Sequence, residues 1–236
     1  MDDRKRIHIL DLWRSLAIVC MVWYHYLYNQ AANSVITWAE LFSPPISLLQ
    51  VFSSYSFIMI SGISSHLSRS NLRRGAIVLG WALVISAVTN YAGSPILFGV
   101  LHFLGTCMIL YGLLGKAIER RVSPALQLFF WPSLFFVARW AMQRAPIVQT
   151  KLLFPLGFVY RGFFSADYFP LLPWVFLFLF GTAIGCIITN HRDGWDWLYT
   201  PVPGALTWLG RHSLTVYLAH QPILYLINFI LDTRTQ

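Results

Sequence analysis

His25, His102 and His220 each lie inside a long apolar run, and Asp167 stands just before another. An imidazole titrates near neutrality and can take a proton from an attacking hydroxyl or amine. A carboxylate can orient such a ring or hold the acceptor. Each histidine taken alone fits a hydrogen-bonded packing residue better than a catalytic one. A second group of residues is cationic. Asp11 and Arg14 are three apart, on one face of a helix, which suits either a local ion pair or an inward-facing cation. Arg73, Arg74, Arg120 and Arg121 form two pairs between apolar runs. They read as topology signals or, together, as a rim for a polyanionic ligand such as a phosphate ester.

The elements that must position these residues are membrane helices. Of the 236 residues, 57% are hydrophobic and only 11% charged, less than half the usual share for a soluble domain. The stretches 15–39, 41–68, 75–115, 168–190 and 212–231 contain no Asp, Glu, Lys or Arg. A bilayer core needs about 20 apolar residues per helix, so the fold expected is an all-α, polytopic membrane bundle, one integral-membrane domain over 1–236. Seven crossings fit, near 9–29, 46–68, 73–91, 96–115, 122–140, 170–189 and 207–230. "NYAGSP" (90–95) supplies a turn, and "SRSNLRR" (68–74) and "KAIERR" (116–121) read as short basic loops.

The net charge of +8 falls between apolar spans. That pattern indicates topology signals and contacts with anionic membrane lipids, not a nucleic-acid surface. With the N-terminus inside, Arg4, Lys5, Arg6, Arg69, Arg73, Arg74, Lys116, Arg120, Arg121 and Arg192 are cytoplasmic. Arg139, Arg144, Lys151, Arg161 and Arg234 are not. Ten against five favours a cytoplasmic N-terminus. Asp11, Arg14 and the bulky aromatic end of the first run argue for a retained helix rather than a cleaved signal. Residues 141–169 are apolar in part but broken by Pro155 and Gly157, which leaves an interfacial, re-entrant or spanning path open.

Depth then follows from the 1.5 Å rise per helical residue. His25 lies roughly 24 Å from the inner entry, His220 roughly 20 Å, and His102 about 9 Å from the outer entry. With Asp167, these residues share one level of the bilayer, and intramembrane ionisable groups usually face an interior cavity. His8, His66, His191 and His212 fall near inner boundaries. Gly181 and Gly185 have helix-packing spacing. Gly62 with Ser61, Ser64 and Ser65 suits either close packing or a narrow polar passage. Cys20, Cys107 and Cys186 sit inside apolar runs with no ligand spacing. Without HExxH or a close histidine pair, no metal is expected.

Four stretches carry a family resemblance. "RIHILDLWRSLAIVCMVWYHY" resembles the opening of transmembrane acyltransferases, with Arg14 and His25 on the first helix. "ILFGVLHFLGTCMIL" (96–110), "DYFPLLPWVFLFLFGTAIG" (167–185) and "WLGRHSLTVYLAHQPILYL" (208–226) resemble the bacterial branch of the heparan-alpha-glucosaminide N-acetyltransferase catalytic-domain family. The resemblance runs from about residue 6 to residue 230. It implies a transferase that takes an acyl group, typically acetyl, from cytosolic acyl-CoA. The group is delivered to an amino or hydroxyl group of a sugar on the far side, a glycan modification at a bacterial inner membrane.

The resemblance makes His25 the catalytic residue, either as base for direct attack or as a transient acyl carrier, and His102, Asp167 and His220 further site residues. It carries Arg14 over as a CoA-side or structural residue; Arg73, Arg74, Arg120 and Arg121, read from their position on the same side, form the expected basic rim for the CoA phosphates. Family members include dimers, so a homodimer is an oligomeric state the resemblance allows. Ser15 stands where the family often has Gly. The sequence shows no counterpart of the large lumenal domain of the eukaryotic enzymes, so heparan itself is not indicated as acceptor. The rival reading, from another class, is a proton-coupled transporter or flippase of small anions, since imidazoles also suit a proton relay.

Overall fold

A chain with so few charges must satisfy its backbone internally once it leaves water, and helices do this within each segment. The computed structural model describes residues 6–190 and 194–232. Arg4, Lys5, His191, Arg192 and Arg234 lie outside the described residues. The fold is all-helical, with no strand among the described residues. The elements are α1 (His8–Ala32), α2 (Trp38–Leu41), α3 (Pro44–His66), α4 (Asn71–Tyr91), α5 (Val100–Arg121), α6 (Pro124–Met142), α7 (Leu171–Asn190), α8 (Gly204–Arg211) and α9 (Ser213–Asp232). Single 3-10 turns sit at Phe154–Leu156 and Asp196–Tyr199.

Six helices, α3 to α7 and α9, are long and apolar enough to cross a membrane. The chain is a polytopic helical membrane protein. Helix α1 has the length, 25 residues, but its polar side chains, Asp11 and Arg14 among them, keep it out of that apolar set. Its other face, with Leu16, Val19 and Trp23 more than half exposed, is the surface a lipid chain would cover.

The local chemistry explains several helix boundaries. Thr37 Oγ1 accepts the Glu40 amide at 3.2 Å and Glu40 Oε2 accepts the Thr37 amide at 2.7 Å, a reciprocal cap that starts α2. Ser123 caps the Leu126 amide, and Pro124 opens α6 where no in-helix donor is lost. The basic segments 68–74 and 116–121 differ from expectation. Arg73 and Arg74 lie in the first turn of α4, and Lys116–Arg121 complete α5. Arg, Lys, Glu and Leu are good helix formers, so these residues themselves extend each helix past the apolar core. The expected span 207–230 is also two helices. It breaks at His212, whose backbone N–H turns back to the Trp208 and Leu209 carbonyls.

The chain divides into two compact units, Met1–Phe57 with Arg192–Gln236, and Ile58–His191. In the first, α1 packs against α8 and α9. Trp13 Nε1 donates to Ser56 Oγ at 3.0 Å. Gly210 permits the approach of α8, because a Cβ there would collide with the Asp11 carbonyl. In the second, α4 packs on α5 and α6 on α7, around a core of Ile58, Phe98, Phe103, Leu104, Cys107, Met108, Tyr111 and Phe178. Gly62 of α3 and Gly181 of α7 bring two backbones together. A Cβ at either position would strike a carbonyl of the other helix, Phe178 or Met59. Gly62 therefore opens no passage, and the α7 backbone occupies the space its missing side chain leaves.

Residues 143–170 form no long helix. They fold back as turns and two isolated bridges, Phe98 with Tyr168 and Val148 with Tyr160. Ala166 donates to the Pro95 carbonyl at 3.0 Å and Phe169 to the Phe98 carbonyl at 2.8 Å. Rings of Phe98, Phe154, Phe163 and Tyr168 stack edge to face or tilted around this segment. Aromatic packing and bridge hydrogen bonds together hold an apolar segment that Pro155 and Gly157 prevent from becoming a helix.

Candidate active site

The first unit places a pair of imidazoles between α1 and α9. The rings of His25 and His220 lie 4.8 Å apart, edge to face at 69°. His25 Nδ1 is 2.8 Å from the Met21 carbonyl and His220 Nδ1 is 2.5 Å from the Tyr217 carbonyl. A carbonyl only accepts, so each Nδ1 carries the proton and each Nε2 keeps its lone pair. His220 is buried, and its Nε2 has no hydrogen-bond partner. Both bases are thus held in one tautomer by their own helix, with the basic nitrogen turned away from it.

The pairing continues along the two helices, which run parallel. Asn29 Nδ2 donates to Gln221 Oε1 at 3.3 Å, and Gln30 Nε2 donates to Asn228 Oδ1 at 3.0 Å. Between these contacts Pro222 lies inside α9. A proline has no N–H, so the Leu218 carbonyl loses its in-helix donor. These carboxamides were not among the residues singled out from sequence. Their spacing along one chain carries no sign that they would meet.

At the other end of α1, Asp11 is buried among three guanidinium groups. Arg6 Nε lies 2.5 Å and Arg14 Nη1 2.6 Å from its oxygens, with Arg211 Nε at 3.8 Å. Three cations against one carboxylate leave an excess of positive charge. The guanidinium side chains are 21–33% exposed while the Asp11 side chain is 3% exposed. Arg14 is therefore both an ion-pair partner and part of a cationic rim. Arg6 and Arg211 share that rim, and only the approach of α8 brings Arg211 there. Ser15 Oγ donates to the Asp11 carbonyl at 3.0 Å and accepts the Gly210 amide at 2.8 Å. The hydroxyl so links α8 to the same turn of α1.

The second unit joins His102 and Asp167 at the start of α5. Asp167 Oδ2 accepts the Val100 amide at 2.9 Å, where a carboxylate also meets the positive end of the helix dipole. Gly99 makes room, because a Cβ there would collide with that carboxylate. His102 Nδ1 accepts the Gly99 amide at 3.3 Å and its Nε2 is 3.1 Å from Ser86 Oγ. Ser86 Oγ in turn donates to the Ile96 carbonyl. Both ring nitrogens of His102 are thereby engaged, unlike those of His220. Asp167 lies between the membrane spans. Burial pushes its carboxyl up to about 6, against the opposing pull of the Val100 amide.

Of the remaining basic residues, Arg74 Nη1 donates to the Ser64 carbonyl at 3.3 Å, beside Asn71 Nδ2 on the Ser65 carbonyl at 2.7 Å. The two side chains cap α3. Arg73, Arg120 and Arg121 are exposed and make no ion pair among the described residues. His66, expected only as an interfacial residue, centres a network. Its Nδ1 is 2.9 Å from Glu119 Oε1 and 3.1 Å from Tyr111 Oη, its Nε2 is 3.1 Å from Thr189 Oγ1, and Tyr111 also donates to Glu119. The three cysteines are free thiols.

A family model described as "Heparan-alpha-glucosaminide N-acetyltransferase, catalytic" matches residues 6–222, nearly the whole chain. The comparisons with curated proteins and with solved structures give no match.

Proposed function

The chain belongs to the heparan-alpha-glucosaminide N-acetyltransferase catalytic family, and from that premise we propose that it moves an acetyl group from cytosolic acetyl-CoA to an extracytoplasmic sugar acceptor. Family and fold make it a multi-pass membrane protein of an acetyltransferase family. The donor, the acceptor, the cytoplasmic N-terminus and the bacterial inner membrane are parts of the proposal.

The observation that carries it is the pair His25 and His220, each fixed through Nδ1 with a basic Nε2. In the reaction, an acceptor N–H or O–H gives its proton to imidazole Nε2 as the heteroatom attacks the thioester carbonyl. The tetrahedral intermediate collapses, the C–S bond breaks, and the CoA thiolate takes the proton back from the imidazolium. His25 is the base, and His220 packs against it to fix its ring and accept a hydrogen bond from the acceptor.

The cationic cluster of Arg6, Arg14 and Arg211 supports the donor half of the reading. It lies at the N-terminal end of α1, opposite in sequence to the imidazoles, and guanidinium forks match phosphate oxygens. In the second unit, Arg73, Arg120 and Arg121 are exposed cations of the same chemistry, with Arg74 beside them. Asp167 and His102 act as positioning residues, because their polar atoms fix the start of α5 and the segment that precedes α7.

The test is transfer by purified protein from labelled acetyl-CoA to a panel of amino and hydroxyl sugars. Transfer that vanishes in His25→Ala is the expected result. Full activity in that variant rejects the assignment. Substrate flux in sealed vesicles without release of CoA would favour a transporter instead.

A further inference from the structure

Resting on the acyl-transfer reading, we propose that the carboxamide seam between α1 and α9 binds an uncharged, polyhydroxylated part of the acceptor beyond its reacting group, about two sugar rings long, with Asn228 as the far contact.

Two unsatisfied atoms define the seam. His220 Nε2 is a buried acceptor without a donor, and Asn228 Nδ2 is a buried donor without an acceptor. Both residues are 7% exposed. Exchanging the Asn228 amide oxygen and nitrogen does not remove the deficit, because Gln30 engages one of the two atoms in either setting. Interhelical amide pairs by themselves need no ligand, since such pairs glue membrane helices together. The two orphans nevertheless lie at opposite ends of these pairs, and a buried polar atom left without a partner is costly. A ligand hydroxyl can do what the protein does not, donating to His220 Nε2 and accepting from Asn228 Nδ2.

Length follows from position. Residues 220 and 228 are on one helix, about 12 Å apart at 1.5 Å per residue. Two linked pyranose rings cover that span and a single ring does not. Between the ends, Asn29 and Gln221 present further amide groups, both half-buried or buried.

Charge sets the chemical class. No Asp, Glu, Lys or Arg occurs in 15–39 or in 212–231, so this stretch of α1 and α9 offers no countercharge. A sulfated or carboxylated sugar would lose its hydration there without a guanidinium or ammonium partner. A neutral saccharide loses only hydroxyl hydration, which carboxamides replace. The seam therefore selects against the polyanionic glycan from which the family takes its name.

The experiment compares three acceptors on the purified full chain: an amino-monosaccharide, the neutral disaccharide that ends in it, and the sulfated form of that disaccharide. The expected result is a kcat/KM for the neutral disaccharide about tenfold above each of the others, the worth of one well-made hydrogen bond. In Asn228→Leu, and separately in Gln30→Leu, the disaccharide-to-monosaccharide ratio should collapse towards one through KM. A merely structural role would lower both acceptors alike and keep the ratio, and that result overturns the seam as a binding site. So does a wild-type enzyme with no length preference, or one that prefers the sulfated acceptor. Absence of transfer to every acceptor would overturn the acyl-transfer reading itself, and the seam with it.

Discussion

Ser15 Oγ accepts the Gly210 backbone N–H at 2.8 Å while it donates to the Asp11 carbonyl at 3.0 Å. One hydroxyl thus ties α8 to the turn of α1 that carries the Asp11–Arg14 pair. Gly210 is the reason the two helices come so close. Gly210→Ala forces its new methyl into the Asp11 carbonyl and should cost about 1–3 kcal/mol, as overpacking usually does. Ser15→Ala loses only the bridge and should cost about 0.5–1.5 kcal/mol. Thermal unfolding in detergent separates the two, and an unaffected Gly210→Ala would contradict this packing.

His220 acts through the His25 base in the proposed reaction, so their losses should not add. His25→Ala is expected to lower kcat by about 10²–10⁴-fold, the usual worth of a positioned base. His220→Ala should lower it less. The double variant should be close to His25→Ala, because residues that work as a unit are strongly non-additive. Independent, multiplying effects in the double-mutant cycle would separate His220 from the reacting centre.

Asp167 carries a pH dependence with a definite sign. Its carboxyl titrates near 6 in the folded protein against 3.8 for an ordinary aspartate. A group whose folded pKa is raised contributes stability that is complete below the lower value and is lost as pH rises through the upper one. The melting temperature of the wild type should therefore fall relative to Asp167→Asn between about pH 4 and pH 6. A constant difference across that range would show that burial does not raise this carboxyl.

Much of the fold was legible because lipid imposes a simple rule. Long uncharged runs became helices: six of the seven expected segments are single helices, and five of those, α3 to α7, are long and apolar enough to cross a membrane. The seventh, 207–230, breaks at His212 because nothing in an apolar run marks where one helix stops packing on α1 and another begins. Counting helical rise put His25 and His220 at similar distances along their expected spans, and their rings lie 4.8 Å apart. It could not reveal that His102 has both nitrogens engaged, because Ser86 and the Gly99 amide reach it through a loop whose path composition does not specify. Arg211, Gln221 and Asn228 were missed for a related reason. Each gains its meaning from a residue nearly the whole chain away, and no local pattern records that contact.

The network at His66 gives the last prediction, in a part of the second unit that the reaction does not use. Glu119 Oε1 receives both His66 Nδ1, at 2.9 Å, and the Tyr111 hydroxyl. His66 Nε2 contacts Thr189 Oγ1 at 3.1 Å, so α3, α5 and α7 meet at one carboxylate and one ring. Glu119→Ala removes the shared acceptor and leaves the buried Tyr111 hydroxyl and the half-buried His66 ring without it. The cost should be about 1–3 kcal/mol. Glu119→Gln keeps an oxygen for one of them and should cost less. Tyr111→Phe removes one of the two donors, so a cycle between Tyr111→Phe and Glu119→Ala should show coupling of about 0.5 kcal/mol or more. Additive changes in unfolding free energy would mean that the two side chains do not share the carboxylate, and the network would reduce to separate surface contacts.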